Sequence, residues 1–394
     1  MPTCLFRSWS PSLVTAALAA LLFACGAPAP TAPPPDAGGL PLDGGTGDGG
    51  TSDDGGTTDA GQWDLPGIDY AIEDLSPPLQ VPNETWTFVP IPESRCANGT
   101  PTGVAVNLTQ RSNRVLIFMA GGGACWEAGA CALGAAVHIT DTMGETAVLN
   151  EAKAGTLAPI FDRDEEANPF RDASFVYIPY CTGDLHGGTR VHTYDWFGPK
   201  PLHHVGANNM HFYLAHLRAT FRNADRVWLS GGSAGGFGAT LNWWRTQKAM
   251  PWARVDVFND SGLVIDTSGD GRYGTMQNHW GLVFPPGCTD CTAKLSSVLT
   301  RSAELLPAPR RYGLLGYMSD QVIANFWALD GATVEARVNA MKTNAAPNVK
   351  LFLRGGTDHV MYVTPNVTNS TGLSAREWSQ RFASDDASWD HSGP

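Results

Sequence analysis

Asp225-Arg226-Val227-Trp228-Leu229-Ser230-Gly231-Gly232-Ser233-Ala234-Gly235-Gly236-Phe237-Gly238 is the stretch on which the reading of this chain turns. Its first six residues form a short, mostly apolar run that stops at glycines, and a helical pattern over 239–245 follows directly. A run of this kind predicts a strand buried on both faces. Gly231-Gly232-Ser233-Ala234-Gly235 is a G-x-S-x-G sequence between a predicted strand and a predicted helix, which is the context of a nucleophile elbow. The turn is expected to strain Ser233, and glycines at 231 and 235 leave room for close strand–helix packing. The helix N-terminus adds backbone N–H groups and partial positive charge beside the serine. A serine hydroxyl alone is a poor nucleophile, so the reading demands a base and an oxyanion hole elsewhere in the chain. Glycine-rich phosphate loops also precede helices, but no lysine stands at the P-loop position after this glycine run, which argues against a nucleotide site.

Outward from the elbow, similar runs occur at 113–120 (NRVLIFMA), 173–180 (ASFVYIPY), 254–259 (RVDVFN), 312–318 (YGLLGYM) and 349–354 (VKLFLR). Between them lie helical patterns. In 207–222, Met210, Leu214, Leu217 and Phe221 recur at spacings of four, three and four. This alternation predicts an α/β fold with a mainly parallel central sheet flanked by helices. No internal repeat and no second linker interrupts 61–394, which reads as one domain.

A second glycine run, Gly121-Gly122-Gly123-Ala124-Cys125-Trp126, follows the first of these strands. In an α/β-hydrolase-like fold one oxyanion N–H comes from the residue after the nucleophile, here Ala234, and another from a glycine-rich loop after an early strand. A merely tight turn is the alternative. The chain order in such folds is serine, acid, histidine. His359 (RGGTDH) lies just past the last predicted strand, where a loop-borne base belongs; His279 and His391 are the other histidines after Ser233. Asp320 (YMSDQ) lies just past the preceding strand and is the expected acid, able to orient the imidazole and stabilise its protonated form. Asp260 (FNDSG) and Asp358 are rivals, although Asp358 adjoins His359 and neighbouring loop residues usually point apart.

The chain has 394 residues, 43% hydrophobic and 16% charged, ample for a sizeable core. A net charge of −12 argues against a generally basic nucleic-acid binder. Half of that charge sits on six aspartates in 26–60, a Pro/Gly/Asp/Thr-rich stretch without Lys or Arg. Its composition cannot bury a core; it reads as a tether, with a coil's reach of about 30 Å. Before it, Arg7 precedes a 12-residue apolar run, 13–24 (LVTAALAALLFA). That is short for a membrane span and right for a signal-peptide core. Leu22-Phe23-Ala24-Cys25 resembles a bacterial lipobox, with Cys25 as lipid acceptor; ordinary cleavage beside a stray cysteine is the alternative. The expected organisation is 1–24 leader, 25–60 anchor and tether, 61–394 folded body, exported and held at a membrane only through its lipid. The six cysteines beyond Cys25 form an even set, which in an exported protein suggests disulfides. Cys125 and Cys131 are close enough to pair locally. Cys288-Thr-Asp-Cys291 lacks a second C-x2-C for zinc and reads as a tight disulfide; Cys96 with Cys181 follows by elimination.

Taken in order, these blocks resemble the pectin acetylesterase family, which includes the Notum-type carboxylesterases of animals. Gly121–Trp126 resembles its GGGWCW block. Asn168-Pro169-Phe170 with 176–184 (VYIPYCTGD) resembles its NP…V-x-Y-C-D-G segment, 230–236 its S-G-x-S-A-G-G elbow, and Asn259-Asp260-Ser261-Gly262 its D-S/A-G turn. The resemblance at the D-S/A-G turn implies a structural Asp260, and Asp320-Gln321 and His359 fall where the family's acid and base fall. The chain departs at Ala124, where an aromatic is common, at Thr182, where an acid follows the cysteine, and at Val360 after the histidine. The resemblance implies a serine carboxylic ester hydrolase: Ser233 attacks the ester carbonyl, His359 takes its proton, and the Ala234, Gly122 and Gly123 amides hold the oxyanion. It implies no metal or organic cofactor, and an acetylated polysaccharide or similar small-acyl ester as substrate.

Two other readings stand beside this one. A carbohydrate-binding surface lipoprotein would keep the fold without turnover. A metal-dependent hydrolase would need ligands; Asp184-x-His186 and His203-His204 lack a third at useful spacing. Segment 186–196 (HGGTRVHTYDW) carries sugar-friendly groups, and lines a cleft or is an ordinary loop. Oligomeric state, polysaccharide identity and acyl length are not encoded in any of these motifs.

Overall fold

A computed structural model describes residues 63–394 apart from 66, 155 and 156. The leader, Cys25 and the tether lie outside the described residues. The strands are β1 (Thr87–Arg95), β2 (Pro101–Asn107), β3 (Arg114–Met119), β4 (Ser174–Ile178), β5 (Arg190–Asp195), β6 (Pro199–His204), β7 (Arg226–Gly232), β8 (Arg254–Asp260), β9 (Tyr312–Tyr317) and β10 (Val349–Arg354). The helices are α1 (Ala128–Ala132), α2 (Glu145–Ala152), α3 (Ala158–Phe161), α4 (Gly206–Leu217), α5 (Ala234–Ala249), α6 (Gly271–Trp280), α7 (Ser296–Leu305), α8 (Gln321–Trp327), α9 (Gly331–Thr343) and α10 (Ala375–Ala383).

Eight strands form one sheet in the order β1-β2-β4-β3-β7-β8-β9-β10. From β4 to β10 every pairing is parallel; β1–β2 and β2–β4 are antiparallel. Each of the six apolar runs becomes one of the parallel strands, and every residue of β4, β7 and β9 is buried. Helices cover both faces. Thr240 and Trp243 of α5 meet Tyr312, whereas Trp378 and Phe382 of α10 lie over Gly313. Successive strand residues point to opposite faces, so α5 and α10 sandwich the sheet.

The chain leaves β3 for β4 towards one edge and leaves β7 for β8 towards the other. The crevice beyond the carboxyl ends of β3 and β7 is therefore a topological switch point, the place where open α/β sheets bind ligands. Both glycine runs open into it, at 121–123 after β3 and at 231–236 around the end of β7.

Sequence periodicity did not reveal β1, β2 or the separate β5–β6 hairpin. β1 contains Pro90 and Pro92, which suit only an edge strand without a strong alternating signal. The helical pattern over 207–222 ends earlier than expected, at Leu217. Disulfides join Cys96–Cys181, Cys125–Cys131 and Cys288–Cys291. The first ties the β1–β2 turn to the end of β4 across 85 residues, a loop whose closure entropy is worth about 4.5 kcal/mol. Three disulfides are the chemistry of an oxidising compartment. Among the described residues, no helix is long and apolar enough to cross a membrane.

Candidate active site

Ser233 sits between β7 and α5 with φ 55° and ψ −122°. A non-glycine residue there costs on the order of 1–3 kcal/mol and must be held by its surroundings. Its N–H donates to the Asp260 carbonyl at 2.8 Å, and its own carbonyl accepts the Gly236 and Phe237 amides at 2.9 and 3.2 Å. α5 presses hard on the sheet: a Cβ on Gly235 would lie 1.9 Å from the Met119 carbonyl oxygen, so only glycine fits. The Ala234 amide, in the first turn of α5, has no intrahelical carbonyl to meet.

The other glycine run lies against this turn. A Cβ on Gly121 would come within 3.1 Å of Ser233 Cβ. Gly122 and Gly123 have φ of 143° and 74°, and the Gly122 carbonyl accepts Val137 N–H at 2.9 Å. Among the described residues, the Gly122 and Gly123 amides donate to no protein acceptor. A buried layer supports the run. His186 Nε2 is 2.9 Å from the Ala120 carbonyl oxygen. The Asp184 carboxylate accepts Thr182 Oγ1 at 2.6 Å, Gly206 N at 2.7 Å, and the Gly188 and His186 amides at 3.1 Å. Burial pushes the His186 imidazole down and the Asp184 carboxyl up. The Asp184 carboxylate and His186 Nε2 thus hold backbone groups and the Thr182 hydroxyl in place. Ala124 and Thr182, where the chain departs from the family's blocks, are both buried and do not line the cavity described below.

Asp320 caps α8 and is wholly buried. Its Oδ1 accepts the Val322 and Ile323 amides, each at 3.0 Å, and its Oδ2 lies 2.7 Å from His359 Nδ1. His359 Nε2 is buried and has no hydrogen-bond partner among the described residues; no hydrogen bond joins it to Ser233 Oγ in this structure. The next residue, Val360, lines the same cavity as Ser233. Neither rival acid touches the ring. Asp358 is 73% exposed beside Arg354, and the Asp260 carboxylate is occupied by the Met361 and Tyr362 amides. His279 holds the Trp126 carbonyl at 2.7 Å and stacks on His192, and His391 meets Leu351 N–H. Segment 186–196 forms strand β5 and its approach, away from the cavity wall.

The cavity beside Ser233 has a volume of about 410 Å³, within the range of small-molecule sites. Phe118, Leu157, Tyr177, Val360 and Val363 line it, with Glu151 as its one charged wall residue among the described residues. A recess of about 30 Å³, bounded by Phe118, Leu157, Ile160, Phe258 and Tyr362, lies alongside and shares its walls. No motif pointed to Glu151. Its position depends on α2 packing against β1 and β2, which no local pattern encodes.

Glu151 is held from two sides. Its Oε2 accepts Tyr177 OH at 2.7 Å, and its Oε1 lies 2.7 Å from His138 Nε2, while His138 Nδ1 meets Asp141 at 2.9 Å. Glu151, then Asp141, push the His138 imidazole up from 6.5 to about 9 against the cost of burial. A raised folded-state value stabilises the fold fully below the unfolded value, and the effect is lost as pH rises through about 9. His138→Gln should therefore lower Tm at pH 6, and thermal melts should show the gap to wild type closing by about pH 10. A gap that is constant with pH would refute the ion pair.

Comparison with known proteins places this geometry in context. A family model described as Pectinacetylesterase matches residues 84–287. The palmitoleoyl-protein carboxylesterase NOTUM of Schmidtea mediterranea is 30% identical over 153 residues, covering 38% of this chain and 27% of that protein. The notum1a protein of Danio rerio is 28% identical over 151 residues, 37% of this chain and 28% of that one. Human NOTUM is 27% identical over 182 residues, 43% and 34% respectively. The matches thus span between a quarter and about a third of these relatives' lengths.

Proposed function

The chain belongs to the pectinacetylesterase family, and on that premise we propose that it is a carboxylic ester hydrolase that works through an acyl-enzyme on Ser233. One observation carries the reading. A buried carboxylate, Asp320, holds His359 by Nδ1 and leaves Nε2 without a partner among the described residues, next in the chain to Val360, which lines the same cavity as Ser233. That is how a general base is kept in the tautomer that accepts a serine proton.

In the proposed cycle His359 Nε2 removes the Ser233 hydroxyl proton as Oγ attacks the ester carbonyl. Asp320 steadies the imidazolium. The Ala234 amide and those of Gly122 and Gly123 receive the oxyanion. Collapse expels the alcohol, which takes the proton from His359. Water, deprotonated by the same nitrogen, then attacks the acyl-enzyme, and collapse of the second intermediate frees the acid and Ser233. Every proton passes through Nε2, and no redox partner is required.

The substrate we propose is a small-acyl ester, of the acetylated-polysaccharide kind. The recess adjoining the cavity that Ser233 lines offers about 30 Å³, room for a methyl-sized group, whereas the larger cavity can receive the alcohol. The animal relatives are named for palmitoleoyl esters, so chain length is the property to measure. With p-nitrophenyl esters from acetate to palmitate on purified 61–394, kcat/KM should peak at acetate or propionate. A peak at long chains would move the reading to a fatty-acyl substrate. We further propose that 61–394 is the esterase body, exported behind the 1–24 leader and carried on the Cys25 anchor and its tether.

A further inference from the structure

The residue pair at the end of β8 belongs to neither the nucleophile nor the Asp320–His359 pair, yet it bonds to the segments carrying both Ser233 and His359. We infer that Asp260 and Ser261 are positioning residues: a clamp that sets the His359 loop against the nucleophile elbow. The inference rests on the acyl-enzyme reading for its catalytic consequence, and on geometry alone for its structural one.

The clamp has two jaws. On one side the Asp260 main-chain carbonyl accepts the Ser233 N–H at 2.8 Å. On the other, three successive amides just past His359 are captured by two adjacent residues. Val360 N–H donates to Ser261 Oγ at 3.1 Å, Met361 N–H to Asp260 Oδ1 at 2.7 Å, and Tyr362 N–H to Asp260 Oδ2 at 2.7 Å. Ser261 Oγ in turn donates to Asp260 Oδ1 at 3.1 Å, so the two side chains brace each other.

Both captured segments need holding. Ser233 and Val360 have φ of 55° and 57°. For a β-branched residue such as Val360 this is an outlier, and an unheld segment would relax towards extended backbone. Relaxation at 360 would swing His359, its immediate neighbour. The clamp itself is anchored in the sheet between two parallel neighbours. Asp260 pairs with Gly232 of β7 and Leu315 of β9, and Ser261 N–H donates to the Leu315 carbonyl at 2.9 Å. Asp260 is buried, and its donors are amides and a hydroxyl, so a carboxylate there gains charge-assisted bonds. Those bonds occupy the oxygens that a rival catalytic acid would have to offer the imidazole.

The test uses Asp260→Asn, which keeps the shape but turns an NH2 group towards an amide, and Ser261→Ala, which removes the acceptor for Val360 and the hydroxyl that braces Asp260. Three quantities are read on purified 61–394: kcat and KM for p-nitrophenyl acetate, Tm, and the downfield proton NMR signal of the His359 Nδ1–H shared with Asp320, assigned by its loss in His359→Gln. A displacement of about 1 Å costs roughly 100-fold in rate, so kcat of folded Asp260→Asn should fall by about 100-fold with KM within about twofold. Ser261→Ala should lose ~10-fold, the scale of one hydrogen bond. The downfield signal should broaden or shift in Asp260→Asn. A core residue with no positioning role would lower Tm and leave both the signal and kcat of the folded fraction unchanged; that result overturns the clamp. If Asp260→Asn does not fold, Ser261→Ala decides by the same criteria. If wild type hydrolyses no ester, the catalytic reading fails while the NMR signal still decides the clamp.

Discussion

Ser233→Ala is expected to remove p-nitrophenyl acetate hydrolysis, with kcat falling by about 10⁴–10⁶-fold. The fold should not notice the change. Ser233 makes no side-chain cap bond to α5, and the bonds that hold its strained backbone, to the Asp260 carbonyl and from the Gly236 and Phe237 amides, all use main-chain atoms. Alanine keeps them. Tm should therefore stay within a few degrees of wild type, and the lost rate can be assigned to the missing oxygen. Residual turnover within tenfold of wild type, in protein free of contaminating esterase, would sink the acyl-enzyme reading.

The second large effect is that of Asp320→Asn. Asparagine can keep its Oδ1 on the Val322 and Ile323 amides, so the cap of α8 survives. Its NH2 then faces His359 Nδ1, where Oδ2 now lies at 2.7 Å. Two donors cannot share that contact, so the imidazole must carry its proton on Nε2, and Nε2 can no longer take one from Ser233. A loss of about 10⁴-fold in kcat is expected, the scale of a wrong tautomer in a triad. Asp358→Asn is the control, because that carboxylate is 73% exposed and points to Arg354. Equal losses in the two variants would show that His359 draws on both acids and would undo the assignment of Asp320.

The parts of the molecule legible in the sequence are those encoded by neighbours in the chain. Six apolar runs bounded by glycine or polar residues became the parallel strands of the sheet, because strands buried on both faces need continuous apolar sequence. The strands that escaped notice are the ones whose partners supply the stability. β1 carries two prolines at an edge, and β5–β6 is a polar hairpin packed on the Cys125–Cys131 loop. At the site, glycines marked both backbone turns, because a side chain at 121 or 235 would strike the opposite segment.

By itself, then, the sequence determined the α/β class, the elbow at Ser233 and the glycine run facing it, since periodicity and glycine placement are local properties of a chain. Tertiary structure alone decided which acid meets His359. Tyr317 pairs with Arg354 across β9 and β10, so Asp320, three residues on, and His359, five residues on, leave the same end of adjacent strands. That register, and not sequence distance, puts a carboxylate 2.7 Å from the imidazole. It likewise leaves Asp260, on the next strand over, to hold the loop instead. Glu151 reaches the cavity by the same kind of route, through the packing of a helix that carries no motif. Such contacts join residues tens of positions apart, and their geometry exists only once the sheet has closed.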